Sequence, residues 1–257
     1  MTDHKIKQAE SAVDFDGSRI IGGTPSLLGE HPYAGGLIIS LSLFRDSVCG
    51  CSLLSNTRIV TAAHCWTTSS TQARQFTVVL GTPLLFSGGT RVVTTNVLLH
   101  EGYNKINLNH DIAIAVIPSV SYTDYIQPIA LPTDTTNNYV GTWAVAVGYG
   151  TTSDAQTGIG SNTYLRKVDQ RVISNADCDR FYIDGVVVPG TLCTDTVGGT
   201  RGTCGGDSGG PLSIRSGYDR TLIGVLSFVS TAGCESGTPA GSTRVTSYYN
   251  WIRARLV

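Results

Sequence analysis

Along most of the chain, hydrophobic residues come in short runs separated by Gly, Pro, Asn and Ser. The clearest runs are Gly36–Leu43, Arg58–Ala62, Thr77–Leu80, Arg91–Leu99, Ile112–Ile117, Trp143–Val147, Lys167–Val172, Pro211–Ile214 and Thr221–Ser230. Val, Ile and Thr dominate them. These residues suit a pleated, partly buried surface, so each run predicts a β-strand. Their number and spacing predict an all-β sandwich or barrels. Ser119–Pro132, near the middle, follows Pro118 and carries Pro128 and Pro132, and reads as a connector between two halves. Helical periodicity is clear only at the end. There Val245, Tyr248, Ile252 and Leu256 recur at three- and four-residue steps, with Arg253 and Arg255 toward the negative end of the dipole. A helix is predicted over about 245–257. Residues 1–19 form a polar leader, and no internal repeat is visible.

Composition narrows the class without deciding it. The 257 residues are 14% charged with a formal net charge of −1, which gives no electrostatic handle for nucleic acid or a membrane surface. The apolar runs Leu37–Ile39 and Ala144–Val147 are far too short to cross a bilayer. Thirty glycines suit short strands joined by tight turns, in enzymes and binding modules alike.

The seven cysteines, Cys49, Cys51, Cys65, Cys178, Cys193, Cys204 and Cys234, change the picture more. No paired CxxC units occur, and Cys49-Gly50-Cys51 is too tight for the usual zinc spacing. Disulfides are the better reading, with one cysteine left over, and they imply an oxidising, extracellular destination. Spacing alone does not assign the pairs. Met1–Glu10 is polar, where an exported chain begins with a basic stretch and an apolar run. The expectation is a secreted protein whose signal has been removed.

Candidate chemistry centres on Gly205-Gly206-Asp207-Ser208-Gly209-Gly210-Pro211. Glycines on both sides of a serine allow a sharp turn that exposes the hydroxyl and lets backbone N–H groups approach a substrate carbonyl. A serine hydroxyl needs a base to become nucleophilic. Thr61-Ala62-Ala63-His64-Cys65 supplies a histidine, and Asn109-His110-Asp111-Ile112-Ala113 supplies a carboxylate to orient it. Read singly, the histidine suits a structural role and the aspartate a turn cap. Together they arrive in the order His, Asp, Ser, one of the known orders of a catalytic triad.

With Arg19-Ile20-Ile21-Gly22-Gly23, Gly148-Tyr149-Gly150 and the terminal Tyr249-Asn250-Trp251-Ile252, these motifs resemble the chymotrypsin family of serine proteases over Ile20–Val257. The resemblance implies two six-stranded antiparallel barrels with the active site between them: barrel 1 over about 30–120, barrel 2 over about 133–244, and a C-terminal helix. It implies a catalytic triad of His64, Asp111 and Ser208, with the N–H groups of Gly206 and Ser208 as the oxyanion hole. It also implies a propeptide, residues 1–19, removed by cleavage after Arg19, so that the new Ile20 ammonium pairs with Asp207. The implied disulfides are Cys49–Cys65, Cys178–Cys193 and Cys204–Cys234, leaving Cys51 as a small buried thiol.

Specificity follows the same resemblance. Gly202 stands where trypsin-like enzymes carry a carboxylate, so cleavage after Lys or Arg is not expected. Thr203, Ser227, Val229 and Ala240 line the implied pocket, and the bulk of Val229 and Ala240 resembles elastases. The expected target is a bond after a small aliphatic residue, with larger apolar residues as the chymotrypsin-like alternative. Gly50–Arg58 resembles insect midgut proteases, implying food digestion. Thr82 replaces an acidic calcium ligand, so neither metal nor cofactor is expected. The implied partners are protein or peptide substrates, an activating trypsin-like protease and protein inhibitors, acting on a monomer. The rival reading is a catalytically silent homologue that only binds, although such proteins usually lack a triad residue.

Overall fold

The computed structural model describes residues 20–42, 45–156, 158–216 and 219–256. Arg19 and the rest of the leader lie outside the described residues. The described residues form fourteen strands: β1 (Thr24–Pro25), β2 (Ala34–Ser42), β3 (Arg45–Ser55), β4 (Arg58–Thr61), β5 (Gln75–Leu80), β6 (Thr90–Thr94), β7 (Val97–Leu99), β8 (Ala113–Val116), β9 (Trp143–Gly148), β10 (Arg166–Ile173), β11 (Thr191–Thr194), β12 (Pro211–Ser216), β13 (Asp219–Phe228) and β14 (Ala240–Arg244).

They make two antiparallel seven-stranded sheets. The first runs β6-β5-β2-β3-β4-β8-β7, so consecutive segments β6 and β7 occupy opposite edges. The sequence reads Arg91–Leu99 as one strand, and in effect it is one. It bends at Thr94–Asn96, where the Thr94 hydroxyl donates to Val116 O at 2.5 Å and Asn96 N donates back to Thr94 Oγ1 at 3.1 Å. The bend closes the sheet into a barrel of six strands, counting β6 and β7 as one. The second sheet runs β1-β10-β11-β14-β13-β12-β9, and a β9–β10 pairing closes it. The two-residue β1 is an addition at the rim of another six-stranded barrel.

No strand is described between β8 and β9, which is where the sequence places the connector. Strands β1, β3, β11 and β14 carry no predicted run. In β11 and β14 every residue is buried, and Ala240-Gly241-Ser242-Thr243-Arg244 is too small and polar to advertise itself. The helix over 245–257 is corrected. Val245–Tyr248 is a 3₁₀ turn and only Tyr249–Arg253 is α-helical, with Val257 outside the described residues. β-branched Val245 and Thr246 open the segment, and they are poor helix starters. A short α1 (Asn175–Asp179) is capped by Ser174 Oγ, which accepts from Asp177 N at 3.1 Å.

Packing follows the alternation. In barrel 1, Leu37, Ile39, Leu53, Ile59, Phe76, Val78 and Ile114 are buried in one cluster. In barrel 2, Ala144, Ala146, Val168, Val172, Leu192, Leu212 and Ile223 form another, and the Ile20 side chain is part of it. Disulfides Cys49–Cys65, Cys178–Cys193 and Cys204–Cys234 are formed, and Cys51 is a buried free thiol whose pKa burial raises far above its ordinary value.

Candidate active site

Strand register brings the first two candidate residues together. Thr61 at the end of β4 pairs with Ala113 at the start of β8. The chain leaving β4 reaches His64 in a 3₁₀ turn, Ala63–Cys65, just where the chain entering β8 has passed Asp111. Asp111 is fully buried, and His64 donates to it twice, from backbone N to Oδ1 at 2.8 Å and from Nδ1 to Oδ2 at 2.7 Å. With Nδ1–H engaged, Nε2 of a neutral imidazole is left as the acceptor.

Barrel 2 holds the same aspartate. Ser227 on β13 donates its hydroxyl to Asp111 Oδ2 at 2.5 Å, and Thr243 on β14 donates to Asp111 O at 2.6 Å. From sequence Ser227 is a pocket-wall residue only. Its hydroxyl is in fact turned onto the aspartate, and Thr243 had no predicted role.

Ser208 arrives from the start of β12. Its backbone is seated on barrel 1: Gly50 N donates to Ser208 O at 2.7 Å, and Cys65 Sγ lies 3.6 Å from the same oxygen. The sulfur belongs to a disulfide and carries no proton, so the second contact is packing. Gly209 fits because it has no side chain. A Cβ there would lie 2.1 Å from Thr61 Oγ1 and 2.5 Å from Gly50 O. The Ser208 residue is partly exposed, and its hydroxyl makes no hydrogen bond among the described residues. Serine–histidine bonds of this kind often tighten only when substrate binds.

Gly206 adopts φ +97°, and a Cβ there would meet Gly150 Cα at 3.0 Å. In this turn Asp207 N donates to Cys204 O at 3.1 Å and Gly210 N to Asp207 O at 2.9 Å, while the N–H groups of Gly206 and Ser208 have no acceptor among the described residues. Two unused donors beside an exposed serine are what a developing oxyanion needs.

Asp207 points the other way. It is fully buried and accepts from Gly150 N at 2.8 Å and Cys204 N at 2.9 Å. Burial outweighs both bonds and raises its pKa to about 7. The Gly148-Tyr149-Gly150 motif is explained here, since a Cβ at Gly148 or Gly150 would stand 2.1 or 2.5 Å from the Asp207 carboxyl group.

The candidate pocket residues gather beside this turn. Gly202 is buried and pairs with Ile21, its N donating to Ile21 O at 3.0 Å. Thr203 and Ala240 are buried, and Ala240 pairs with Thr194. Val229 packs on the Cys204–Cys234 bridge and Ile21. Two groupings have ligand-like spacing, Cys49/His64/Cys65 and Asp154/Cys204/Cys234. Their sulfurs are all in disulfides and offer no thiolate to a metal.

Comparison with known proteins agrees with this arrangement. The family model described as Trypsin matches residues 20–252. The chain is 39% identical over 254 residues to a collagenase of Hypoderma lineatum, covering 98% of this chain and 93% of that protein. It is 39% identical over 240 residues to a brachyurin of Leptuca pugilator, covering 92% and 98%, and 38% identical over 237 residues to Serine protease 1 of Drosophila melanogaster, covering 91% and 84%. The solved structure of HL collagenase superposes with a TM-score of 0.82 at 40% identity, over 91% of this chain and 97% of that one. On these grounds the chain belongs to the trypsin family and is a serine endopeptidase with the chymotrypsin fold.

Proposed function

We propose that this chain is a secreted digestive endopeptidase, made as a zymogen, that uses Ser208, His64 and Asp111 to cut after small aliphatic or larger apolar residues. The observation that carries the catalytic assignment is the doubly bonded His64–Asp111 pair, which commits Nδ1 and leaves Nε2 free to act as the base. Ser208 Oγ attacks the scissile carbonyl while His64 Nε2 takes its proton. The carbonyl oxygen becomes an oxyanion held by the N–H groups of Gly206 and Ser208. His64 then passes the proton to the leaving amine, and an acyl-enzyme remains. Water, deprotonated by His64, releases the acid and restores Ser208. Asp111 keeps the imidazole in one tautomer and stabilises its protonated form.

Activation uses Arg19, Ile20 and Asp207. Cleavage after Arg19 frees an Ile20 ammonium, which is the cation a buried Asp207 lacks. The oxyanion turn contains Asp207, so pairing there orders the site. A side chain entering the pocket meets Gly202 at its base, with Thr203, Val229 and Ala240 along the walls. None of these carries a charge, which supports apolar targets over Lys or Arg. Secretion is supported by the three disulfides, stable in an oxidising compartment. Relatives named collagenase and brachyurin are consistent with action on proteins. The domain division, with a propeptide over 1–19 and a peptidase unit over 20–257, belongs to the same proposal. So do the monomeric state, the activating trypsin-like protease and protein inhibitors.

The test treats the intact chain with trypsin and assays peptides differing only before the cut: Ala, Val, Leu, Phe and Lys. Activity is expected only after cleavage, highest on Ala or Val and lost in Ser208→Ala. Preference for Phe or Leu leaves the mechanism and shifts the pocket reading. Preference for Lys overturns the specificity, and silence despite a confirmed Ile20 terminus favours the binding-only homologue.

A further inference from the structure

Gln170 is an unusual residue to find where it is. On β10 the buried positions alternate through Arg166, Val168, Gln170 and Val172, so the Gln170 side chain turns into barrel 2 with its two valine neighbours. It lies opposite Ala144 on β9, whose small side chain leaves room for it. Gln170 is 1% exposed, and neither its Nε2 nor its Oε1 has a hydrogen-bond partner among the described residues. Thr196, beyond the end of β11, is 3% exposed, and its Oγ1 is equally unpartnered.

Buried polar atoms in folded proteins are nearly always satisfied. Three orphans from two residues therefore mark a place built to receive something. Both residues neighbour Gly202, read above as the base of the candidate substrate pocket. A Cβ on Gly202 would lie 3.5 Å from Thr196 Cγ2 and 3.9 Å from Gln170 Nε2. Gly202 is held in place by its bond to Ile21 O. With hydrogen in place of a side chain there, the Gln170 amide nitrogen and the Thr196 side chain are the nearest groups in the direction a side chain would take.

We propose that the substrate pocket has a second, polar floor made by Gln170 and Thr196 behind Gly202, and that it accepts a long, unbranched side chain ending in an uncharged hydrogen-bonding group, glutamine above all. The inference rests on the reading of Gly202 as the base of that pocket. The chemistry selects the class. A carboxamide and a hydroxyl each donate and accept, so a substrate carboxamide can satisfy both. An ammonium or guanidinium finds no carboxylate in this pair to compensate its desolvation. An apolar chain of the same length leaves all three orphans unpaired while expelling whatever water served them. Against small residues the floor stays hydrated and takes no part.

The experiment uses the trypsin-activated full chain and three matched peptides with Gln, norleucine or Ala before the cut. Norleucine has a comparable unbranched reach without the amide. The expected kcat/KM for Gln exceeds that for norleucine by about tenfold, the value of one well-made hydrogen bond. Gln170→Leu is expected to bring the Gln-to-norleucine ratio to about one or below. Gly202→Ala, whose methyl group would sit at ordinary contact distance, is expected to close the passage and lower the same ratio relative to the unsubstituted enzyme. Each ratio is taken within one preparation, so it does not depend on how much of a variant folds. Equal rates on Gln and norleucine with the unsubstituted enzyme mean the hollow holds only water, and overturn the proposal. A ratio unmoved by Gln170→Leu overturns it as well. In both cases hydrolysis of the Ala peptide shows that the protease reading stands. If no peptide is cut by the confirmed Ile20 form, that reading fails and the floor with it.

Discussion

At Asp111 two carboxylate oxygens serve three donors: His64 N, His64 Nδ1 and the Ser227 hydroxyl, at 2.8, 2.7 and 2.5 Å. The two His64 bonds fix the ring relative to its own backbone. The Ser227 bond fixes the carboxylate itself, from the other barrel. Ser227→Ala leaves Oδ2 with one donor in a site closed to water. The orientation of the pair loosens by about one hydrogen bond, so kcat is expected to fall about tenfold. Loss of the orienting carboxylate is far worse, about 10⁴-fold, a magnitude characteristic of this family's triad and not deduced from these distances. Steady-state kinetics normalised by active-site titration separates the two. An unchanged kcat in Ser227→Ala would mean that the His64 contacts alone hold Asp111. The strained backbone beside it, His110 at φ +56°, is braced by stacking on His100 at 4.9 Å and by a 3.0 Å bond between its Nδ1 and the Tyr248 hydroxyl.

Between elements, the decisive joint is where the turn before β12 rests on β3 and β4. Gly209 sits there at φ +81°, its Cα against Thr61 and Gly50. Gly209→Ala adds a methyl group 2.1 Å from Thr61 Oγ1 and 2.5 Å from the Gly50 carbonyl, in a conformation that disfavours any side chain. The turn must lift, and it carries Ser208. A destabilisation of about 2 kcal/mol and a kcat/KM loss of at least about 100-fold are expected. A thermal melt together with kinetics on one peptide would check both. If the variant melts lower but turns over normally, the joint supports the fold without placing the serine. The motifs on either side of this joint are plain in the sequence, because catalysis needs rare residue types at fixed spacing. The joint itself is not. The same holds for β11 and β14, whose small polar residues are buried by their neighbours and not by their own hydrophobicity. Ser227 lies 116 residues from Asp111 and looks like any strand serine. Gln170 looks like any polar residue on an alternating strand until register shows that it points inward.

For the whole molecule, two buried groups pull stability in opposite directions with pH. His31 is buried, with its pKa lowered to about 4, chiefly by burial and then by Arg220, so the stability it allows is present above about pH 6.5 and is lost as pH falls toward 4. Asp207 has its pKa raised from 3.8 to about 7. In the intact chain the folded form keeps a proton there that the unfolded chain has already lost. Its contribution is therefore fully present below about pH 4 and is lost as pH rises through 7, by roughly 4 kcal/mol. Cleavage after Arg19 should reverse the sign. Ile20 already has its side chain in the barrel 2 core, 1% exposed, at φ +59°, a strained conformation for a β-branched residue. A freed Ile20 ammonium starts from a residue whose side chain is already anchored in that core, and once paired with Asp207 it favours the ionised carboxylate. The Asp207 contribution then grows with pH. The comparison is best made in Ser208→Ala, which removes self-digestion. Intact protein is expected to melt lower at pH 8 than at pH 5, cleaved protein is not, and Asp207→Asn in the intact chain should remove the fall toward pH 8 and leave the opposite trend that His31 gives. The same pH trend in both forms would mean that the new terminus does not reach Asp207, and activation would need another cation.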